Sequence, residues 1–328
     1  MNHTEAGLTR ISDHLYTAVY RGDYAFDRYL ARGGTRSEDE TFDFLKEVLA
    51  SPEGLTYRIE GMGCSDMQAK GSHGYLFGRN FDWGDCPLLV LTGYPKDGYA
   101  SISSVNLDFV LKRGGDLPAD KLLVAAHYAP LDGMNEKGLC VAVNLLPDGM
   151  ELMQSGGKPA LTITTAIRLL LDKAATTDEA LSLLRAHDLC TTTGLTVHFL
   201  ISDGAGRSVC VEFIHNVMSV VETSVMTNHY LTPGPYFGQA RNNSIERYGI
   251  LSDFLQRTPV ADSRAVKEAM ASVFHGTQWT AVYDQRDLSA EIYHREQYET
   301  PLSVRIHPAE AEASSNKRLT TPPMDSFS

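Results

Sequence analysis

Strand-forming and helix-forming stretches come in blocks along this chain, not in strict alternation. A charged, helix-like opening gives way at residue 55, where "LTYRIEGMGCSDMQAK" and "GYLFGRNFDW" read as two strands joined by a turn at Gly71–Gly74. Further strands follow in "LLVLTGYP", "YASISSVNLDFVL" and "GLCVAVNLL". Residues 160–188 have helical spacing, with a second helix restarting at Thr177 after Ala174–Ala175. A hairpin turning at Asp203–Gly206 comes next, then the strand "MSVVETSVMTNHYL". Helices return over "NSIERYGILSDFLQ" and "ADSRAVKEAMASVF", the second capped by Asp262, and a strand pair in "WTAVYDQRDLSAEIYHREQY" closes the chain. Such an order predicts an α+β fold with layered, mixed or antiparallel sheets, since a parallel sheet of βαβ units needs alternation.

The flanks read differently. Residues 1–63 are expected to be mainly helical, with Ser37 capping the helix in "SEDETFDFLKEVLAS". The last stretch, residues 309–328, is small, polar and proline-containing, and reads as a mobile tail. A hydrophobic content of 43% and a charged content of 21% describe a folded globular protein. The net charge of −12 comes without any Lys/Arg block, which argues against nucleic acid and anionic membranes as partners. No signal-peptide pattern and no long apolar run occurs, so the expectation is a cytoplasmic protein without a membrane span. Its five scattered cysteines contain no CxxC pair and suit buried thiols in a reducing compartment.

Several chemistries are absent as patterns. There is no HExxH, no Cys/His cluster with ligand spacing, no P-loop and no GxSxG elbow, so neither metal nor cofactor is expected. A lone strand histidine such as His198 reads as structural. What remains is Cys64, with Arg79 and Asp82 in the following strand. A thiol needs a base, and an unperturbed carboxylate of pKa about 3.9 is too weak. The α-amine of Cys64 itself, with an unperturbed pKa of about 7.7–8.0, would serve if the chain were cut between Gly63 and Cys64. On the residues alone, an ordinary buried cysteine is the favoured reading.

The motif "GCSDMQAK…GYLFGRNFDW" resembles the start of the mature chain in the choloylglycine hydrolase and penicillin V acylase family, and in the related acid ceramidase and isopenicillin N acyltransferase groups. "DGMNEKGLCVAVNLL" is similar to that family's segment carrying an oxyanion asparagine, here Asn144. "VMTNHYL" resembles the second asparagine site, at Asn228, and "NSIERYGIL" the helix bringing in a second arginine, Arg247. "WTAVYDQRDLSAEIYHRE" resembles the closing hairpin, so the likeness runs over residues 61–298 with its motifs in family order. Two departures stand out: the Cys-to-Arg interval is one residue short, and Cys64 lies behind 63 residues that removal of an initiator methionine cannot clear.

The resemblance implies a four-layer αββα N-terminal-nucleophile hydrolase sandwich over residues 64–308, with 1–63 as a propeptide removed by self-cleavage. It implies a hydrolase of linear, non-peptide C–N amides in N-acyl compounds. Cys64 is the nucleophile, Arg79 lowers the thiol pKa, Asp82 orients the freed amine and Asn144 donates to the oxyanion. Asn228 positions the amine or the scissile amide, and Arg247 adds positive charge; His229 is left as structural. Three alternatives stay open: an acyltransferase of the isopenicillin N type, an uncleaved N-terminal-nucleophile fold that only binds, and a Cys–His hydrolase using an internal Cys64 with His229. The partner implied is a small N-acyl amide, in a pocket shaped by loops such as 84–100 and 128–135; homo-oligomers are common among similar proteins.

Overall fold

The computed structural model describes residues 5–50, 53–58, 63–147, 152–191, 194 and 196–307. Its larger sheet has nine strands, in the order β1 (Glu5–Ser12), β2 (Leu15–Gly22), β5 (Leu88–Pro95), β6 (Ser101–Asn106), β7 (Asp132–Asn135), β8 (Cys140–Leu145), β11 (Val197–Ser202), β12 (Ser208–Ile214) and β13 (Val217–Glu222). The smaller has six: β14 (Val225–Met226), β3 (Gly63–Lys70), β4 (Tyr75–Asp82), β15 (Thr277–Asp284), β16 (Ser289–His294) and β17 (Leu302–Arg305). Short strands β9 (Ala160–Leu161) and β10 (Asp188–Leu189) form a separate parallel pair.

Helices cover both outer faces. α3 (Ala119–Ala126), α4 (Ile163–Lys173) and α5 (Thr177–Arg185) lie on the nine-stranded sheet. α6 (Ser244–Arg257) and α7 (Ser263–Ser272) lie on the six-stranded one, while β3 faces β8 and β11 across the interior. The result is a four-layer αββα sandwich. Each layer has its sequence cause. Asp262 accepts from the Ala265 amide at 2.8 Å to start α7, and Thr176, one residue before the expected restart, accepts from Glu179 to start α5. Gly78 lets α7 come down onto β4: a Cβ there would stand 3.0 Å from both Met270 and Val266.

The opening segment departs from expectation. It is not mainly helical: β1 and β2 form an antiparallel hairpin ahead of α1 (Phe26–Ala31) and α2 (Glu38–Val48). The overlooked signal is a period of two, with Ala18 and Tyr20 buried and Val19 outward between them. β2 then pairs with β5 in parallel, extending an otherwise antiparallel sheet at its edge. Tyr20, Tyr24, Phe26, Tyr29, Phe44 and Leu45 all sink into the main core. At about 1.5–3 kcal/mol per fully buried large side chain, this segment is structurally part of the body. Ser37 does cap α2, accepting from Glu40 at 3.1 Å.

The tail at 309–328 lies outside the described residues, as do residues 59–62 just before the proposed cut. All five cysteines are free and buried. No helix among the described residues is long and apolar enough to cross a membrane.

Candidate active site

The hairpin β3–β4 carries the site, and its register decides which side chains meet. Gly71 and Gly74 close the turn through a 2.8 Å backbone hydrogen bond. Cys64 then stands opposite Phe81, Asp66 opposite Arg79, and Gly63 opposite Asp82. Since side chains alternate across a strand, Cys64, Asp66, Arg79 and Phe81 share the face between the sheets. Ser65, Asn80 and Asp82 share the face toward α6 and α7, where Asn80 donates to the Met270 carbonyl and Arg247 bonds Ser65.

The edge beside Cys64 is finished by side chains. β14 pairs only with Asp66 and Met67, and stops short of Cys64. There the Cys64 N–H donates to Asn228 Oδ1 at 2.9 Å, and Arg247 Nη1 donates to the Cys64 carbonyl at 2.8 Å. Arg247 also donates to Asn228 Oδ1 at 2.8 Å and to Ser65 Oγ at 2.5 Å. Asn228 in turn donates to the Leu145 carbonyl at 2.7 Å. Sequence motifs far apart in the chain thus converge on one backbone unit.

Arg79 is fully buried and held from several sides. It donates to Asp66 at 3.0 Å, to the Val143 carbonyl at 2.9 Å and to Asn144 Oδ1, with Asp132 3.4 Å from its Nε. Burial pulls the arginine pKa down, but Asp66, Cys64 and Asp132 together hold it above its usual value. By taking Oδ1, Arg79 fixes which end of the Asn144 amide donates: Nδ2 lies 3.4 Å from the Thr227 carbonyl, and, against the burial that raises the Asp66 pKa, a hydrogen bond from Asn144 helps hold it down. The thiol itself is raised above its ordinary pKa by burial, with Arg79 the main opposing influence. Arg79 pulls the thiol pKa down, the direction the resemblance implies, but much of its charge is met by Asp66 and Asp132, and burial outweighs its pull in the uncut chain.

Asp82 sits on the other side of the strand pair. Thr277 donates to its Oδ1 at 2.6 Å, while Oδ2 lies 3.6 Å from Arg247 and accepts no hydrogen bond among the described residues. Burial raises its pKa to about 7, against the pull of Thr277, Arg247 and Arg79. Asp66 is likewise raised by burial to about 6, with Arg79 opposing. Burial lowers the pKa of Arg247, with Asp82 opposing.

Cys64, Arg79, Asp82, Asn144, Asn228 and Arg247 are therefore brought together. His229 is not turned to the thiol by any of its contacts: its Nδ1 lies 2.8 Å from Ser244 Oγ and 3.1 Å from Thr227 Oγ1, and burial lowers its pKa to about 4. Asp66, Asp132 and Thr277 were missed. Asp66 was signalled by alternation from Cys64, and Asp132 opens the very "DGMNEKGL" motif that pointed to Asn144. A cleft of about 230 Å³ opens beside the site, lined by Asp82, Asn228, Trp83, Leu145, Arg241 and His275 among others. The loops expected to shape it do not: residues 88–95 are strand β5 inside the large sheet, and residues 132–135 are β7.

Among the described residues one group has metal-ligand potential, His198, Cys210 and Glu212, all buried. It lies on β11 and β12, where His198 and Glu212 are engaged with the backbone of Thr227, Leu231 and Thr232.

A family model described as acyl-coenzyme A:6-aminopenicillanic acid acyl-transferase matches residues 125–297, more than half of the chain. That stretch takes in Asn144, Asn228 and Arg247 and leaves out the hairpin with Cys64, Arg79 and Asp82. The penicillin V acylase of Pectobacterium atrosepticum is 26% identical over 185 residues, which is 50% of this chain and 49% of that protein. The chain spans about half the length of the curated relative it matches. Among solved structures, the penicillin V acylase of Agrobacterium tumefaciens superposes with a TM-score of 0.53 at 18% identity, covering 73% of this chain and 84% of that one. A variant of the conjugated bile acid hydrolase of Clostridium perfringens gives 0.53 at 15% identity, covering 74% and 92%. Those structures share the fold, and the match over β8, β11–β15 and α4–α7 shows that this chain belongs to the acyl-coenzyme A:6-aminopenicillanic acid acyl-transferase family.

Proposed function

We propose that the protein is a cysteine-nucleophile hydrolase of linear C–N amides in N-acyl compounds, activated by its own cleavage between Gly63 and Cys64. One observation carries this reading. The peptide N–H of Cys64 has one hydrogen, given to Asn228, yet a second buried acceptor, Asp82 Oδ2, stands unused in the register position opposite Gly63. An ammonium in place of the amide would have hydrogens for both.

Cleavage balances without a cofactor. Cys64 Sγ attacks the Gly63 carbonyl carbon, the C–N bond breaks, and the thiol proton passes to the Cys64 nitrogen. Water then hydrolyses the thioester, leaving a Gly63 carboxylate, a free thiol and a free α-amine. In the uncut chain Asp82, raised to about 7 by burial, is a far better base than an ordinary carboxylate.

Turnover repeats the chemistry on substrate. The α-amine accepts the thiol proton as Sγ adds to the amide carbonyl, and returns it to the leaving amine. Asn144 Nδ2, oriented by Arg79, donates to the developing oxyanion. Asn228 and Arg247 hold the Cys64 backbone still, and water releases the acid. The names of the relatives, penicillin V acylase and conjugated bile acid hydrolase, support an amide-hydrolysing reading and make penicillin V the first substrate to try. The processed protein should release acid and amine from N-acyl amides; a processed protein inert to a broad N-acyl panel would sink the reading.

A second reading rests on the family's own description as an acyl-transferase. An added acceptor amine that captures the acyl group from the Cys64 thioester, in place of water, would favour it.

A further inference from the structure

We propose that the buried pair Glu212–His198 is a positioning element for this site, fixing the segment 227–232 and through it Asn228 and Asn144. The inference rests on the role of Cys64 given above and adds residues that touch neither the thiol nor the cleft.

The segment has little sheet to hold it. β14 ends at Met226, and beyond it the chain leaves the sheet and, among the described residues, pairs only with the loop 238–241, through the Arg241 N–H to the Asn228 carbonyl at 3.0 Å, the Tyr230 N–H to the Gln239 carbonyl at 3.2 Å and the Gly238 N–H to the Tyr230 carbonyl at 2.9 Å. Asn228, which holds the Cys64 N–H, therefore sits on backbone tied to a loop and not to a strand of either sheet. Glu212 and His198 hold that backbone at both ends. His198 Nε2 is 2.6 Å from the Thr227 carbonyl, which only accepts, so Nε2 carries the donated proton. Glu212 Oε1 accepts from the Leu231 N–H at 2.8 Å, and Oε2 from the Thr232 N–H at 2.8 Å. The two side chains are joined by a 3.2 Å contact from His198 Nδ1 to Glu212 Oε1. Thr227 Oγ1 is tied separately to Ser244.

The same pair reaches Asn144. His198 stands directly across from Asn144 in the β8–β11 register, and both side chains converge on the Thr227 carbonyl, Asn144 at 3.4 Å. One carbonyl oxygen is thus the point where the oxyanion asparagine and the amine-holding asparagine are referred to each other. Burial pushes the Glu212 pKa up, but its bonds from His198, Thr232 and Leu231 bring it down to about 2, which keeps it an anion at this post. A buried carboxylate is rarely a more stable filling for a core than well-packed apolar side chains, so a role in placement explains Glu212 better than a role in stability.

The test uses two amides that divide the imidazole between them. In His198→Gln the terminal nitrogen takes the place of Nε2 and keeps the donation to Thr227; in His198→Asn it takes the place of Nδ1 and loses it. The full chain of each variant is followed for cleavage at Gly63–Cys64 by intact mass, well below its own melting temperature, beside wild type and Cys64→Ala. His198→Asn is expected to slow cleavage on the order of 100-fold, the scale of a misplaced catalytic geometry, with His198→Gln within about tenfold of wild type. Equal rates in both folded variants would overturn the positioning role while leaving Cys64 its own. A wild-type chain that never cleaves would remove the reading of Cys64 and this inference with it. Stoichiometric zinc in the purified protein, lost in Cys210→Ala, would also overturn it, because an ion would then join His198 to Glu212.

Discussion

Three arginines are buried beside aspartates among the described residues: Arg79 and Arg247 belong to the site and Arg168 does not, and the two most deeply buried, Arg79 and Arg168, make the sharpest contrast. Arg79 lies between the sheets, and its partners Asp66, Asp132, Val143 and Asn144 come from β3, β7 and β8. Arg168 lies between the large sheet and its helices, bonded to Asp172 one turn away on α4 at 2.7 Å and to Ser101 at 2.8 Å. Its Nε and Nη1 have no hydrogen-bond partner among the described residues. Asp172 also takes the Tyr24 hydroxyl at 2.6 Å, so this second arginine pins the opening segment to the body. A buried charge alone does not identify a site. Convergence of separate elements on one nucleophile does.

The sharpest way to break this comparison is to remove each charge. Arg79→Met and Arg168→Met each strand buried carboxylates, so both should cost about 3–5 kcal/mol in denaturant unfolding. Arg79→Met should also lose turnover, through Asn144, whereas folded Arg168→Met should turn over at nearly the wild-type rate. Equal activity losses would erase the distinction. Next in size, Asn144→Ala should reduce kcat about 100- to 1000-fold while losing only about 1.5–3 kcal/mol of stability, that of its bond from Arg79; a loss of kcat under tenfold in the folded variant would take Asn144 out of the oxyanion role.

Asp82 sharpens the comparison through pH. Its folded-state pKa of about 7 lies above its ordinary 3.8, so its contribution to stability is full below the ordinary value and is lost as pH rises through about 7. In a Cys64→Ala background, Asp82→Asn should therefore raise the melting temperature at pH 8 and not at pH 3.5, a gap on the order of a few kcal/mol. A gap that shrinks with rising pH would contradict the burial argument. Smaller still, Tyr24→Phe removes one hydrogen bond to a buried carboxylate, about 1.5–3 kcal/mol, and should leave cleavage at Gly63–Cys64 unchanged in rate. Slower cleavage would tie the Arg168 region to the chemistry after all.

Much of the site was readable in the sequence because hairpin physics is local. Gly71–Gly74 marks the turn, and alternation puts Cys64 on the face of Arg79. Partners brought by other elements were not readable, since a period of two tells which face a residue takes and not what faces it. That is why Asp132 and Thr277 escaped, and why His198 read as merely structural. The opening segment was misjudged for a related reason: acids and a capped helix at Ser37 outweighed a weaker alternation at Ala18 and Tyr20, and the parallel pairing of β2 with β5 depends on chain far downstream, as Leu15 meets Leu88 and Gly22 meets Pro95.

That segment also bears on what cleavage leaves behind. With Tyr24, Phe26 and Tyr29 in the main core, residues 1–63 should stay attached after the cut as a second chain. The most direct test of the account is therefore the intact mass of the freshly made protein under native and denaturing conditions. The account predicts one particle under native conditions that separates on denaturation into residues 1–63 and a chain beginning at Cys64, with Cys64→Ala remaining whole. A wild-type chain that hydrolyses amides while still uncut would contradict it.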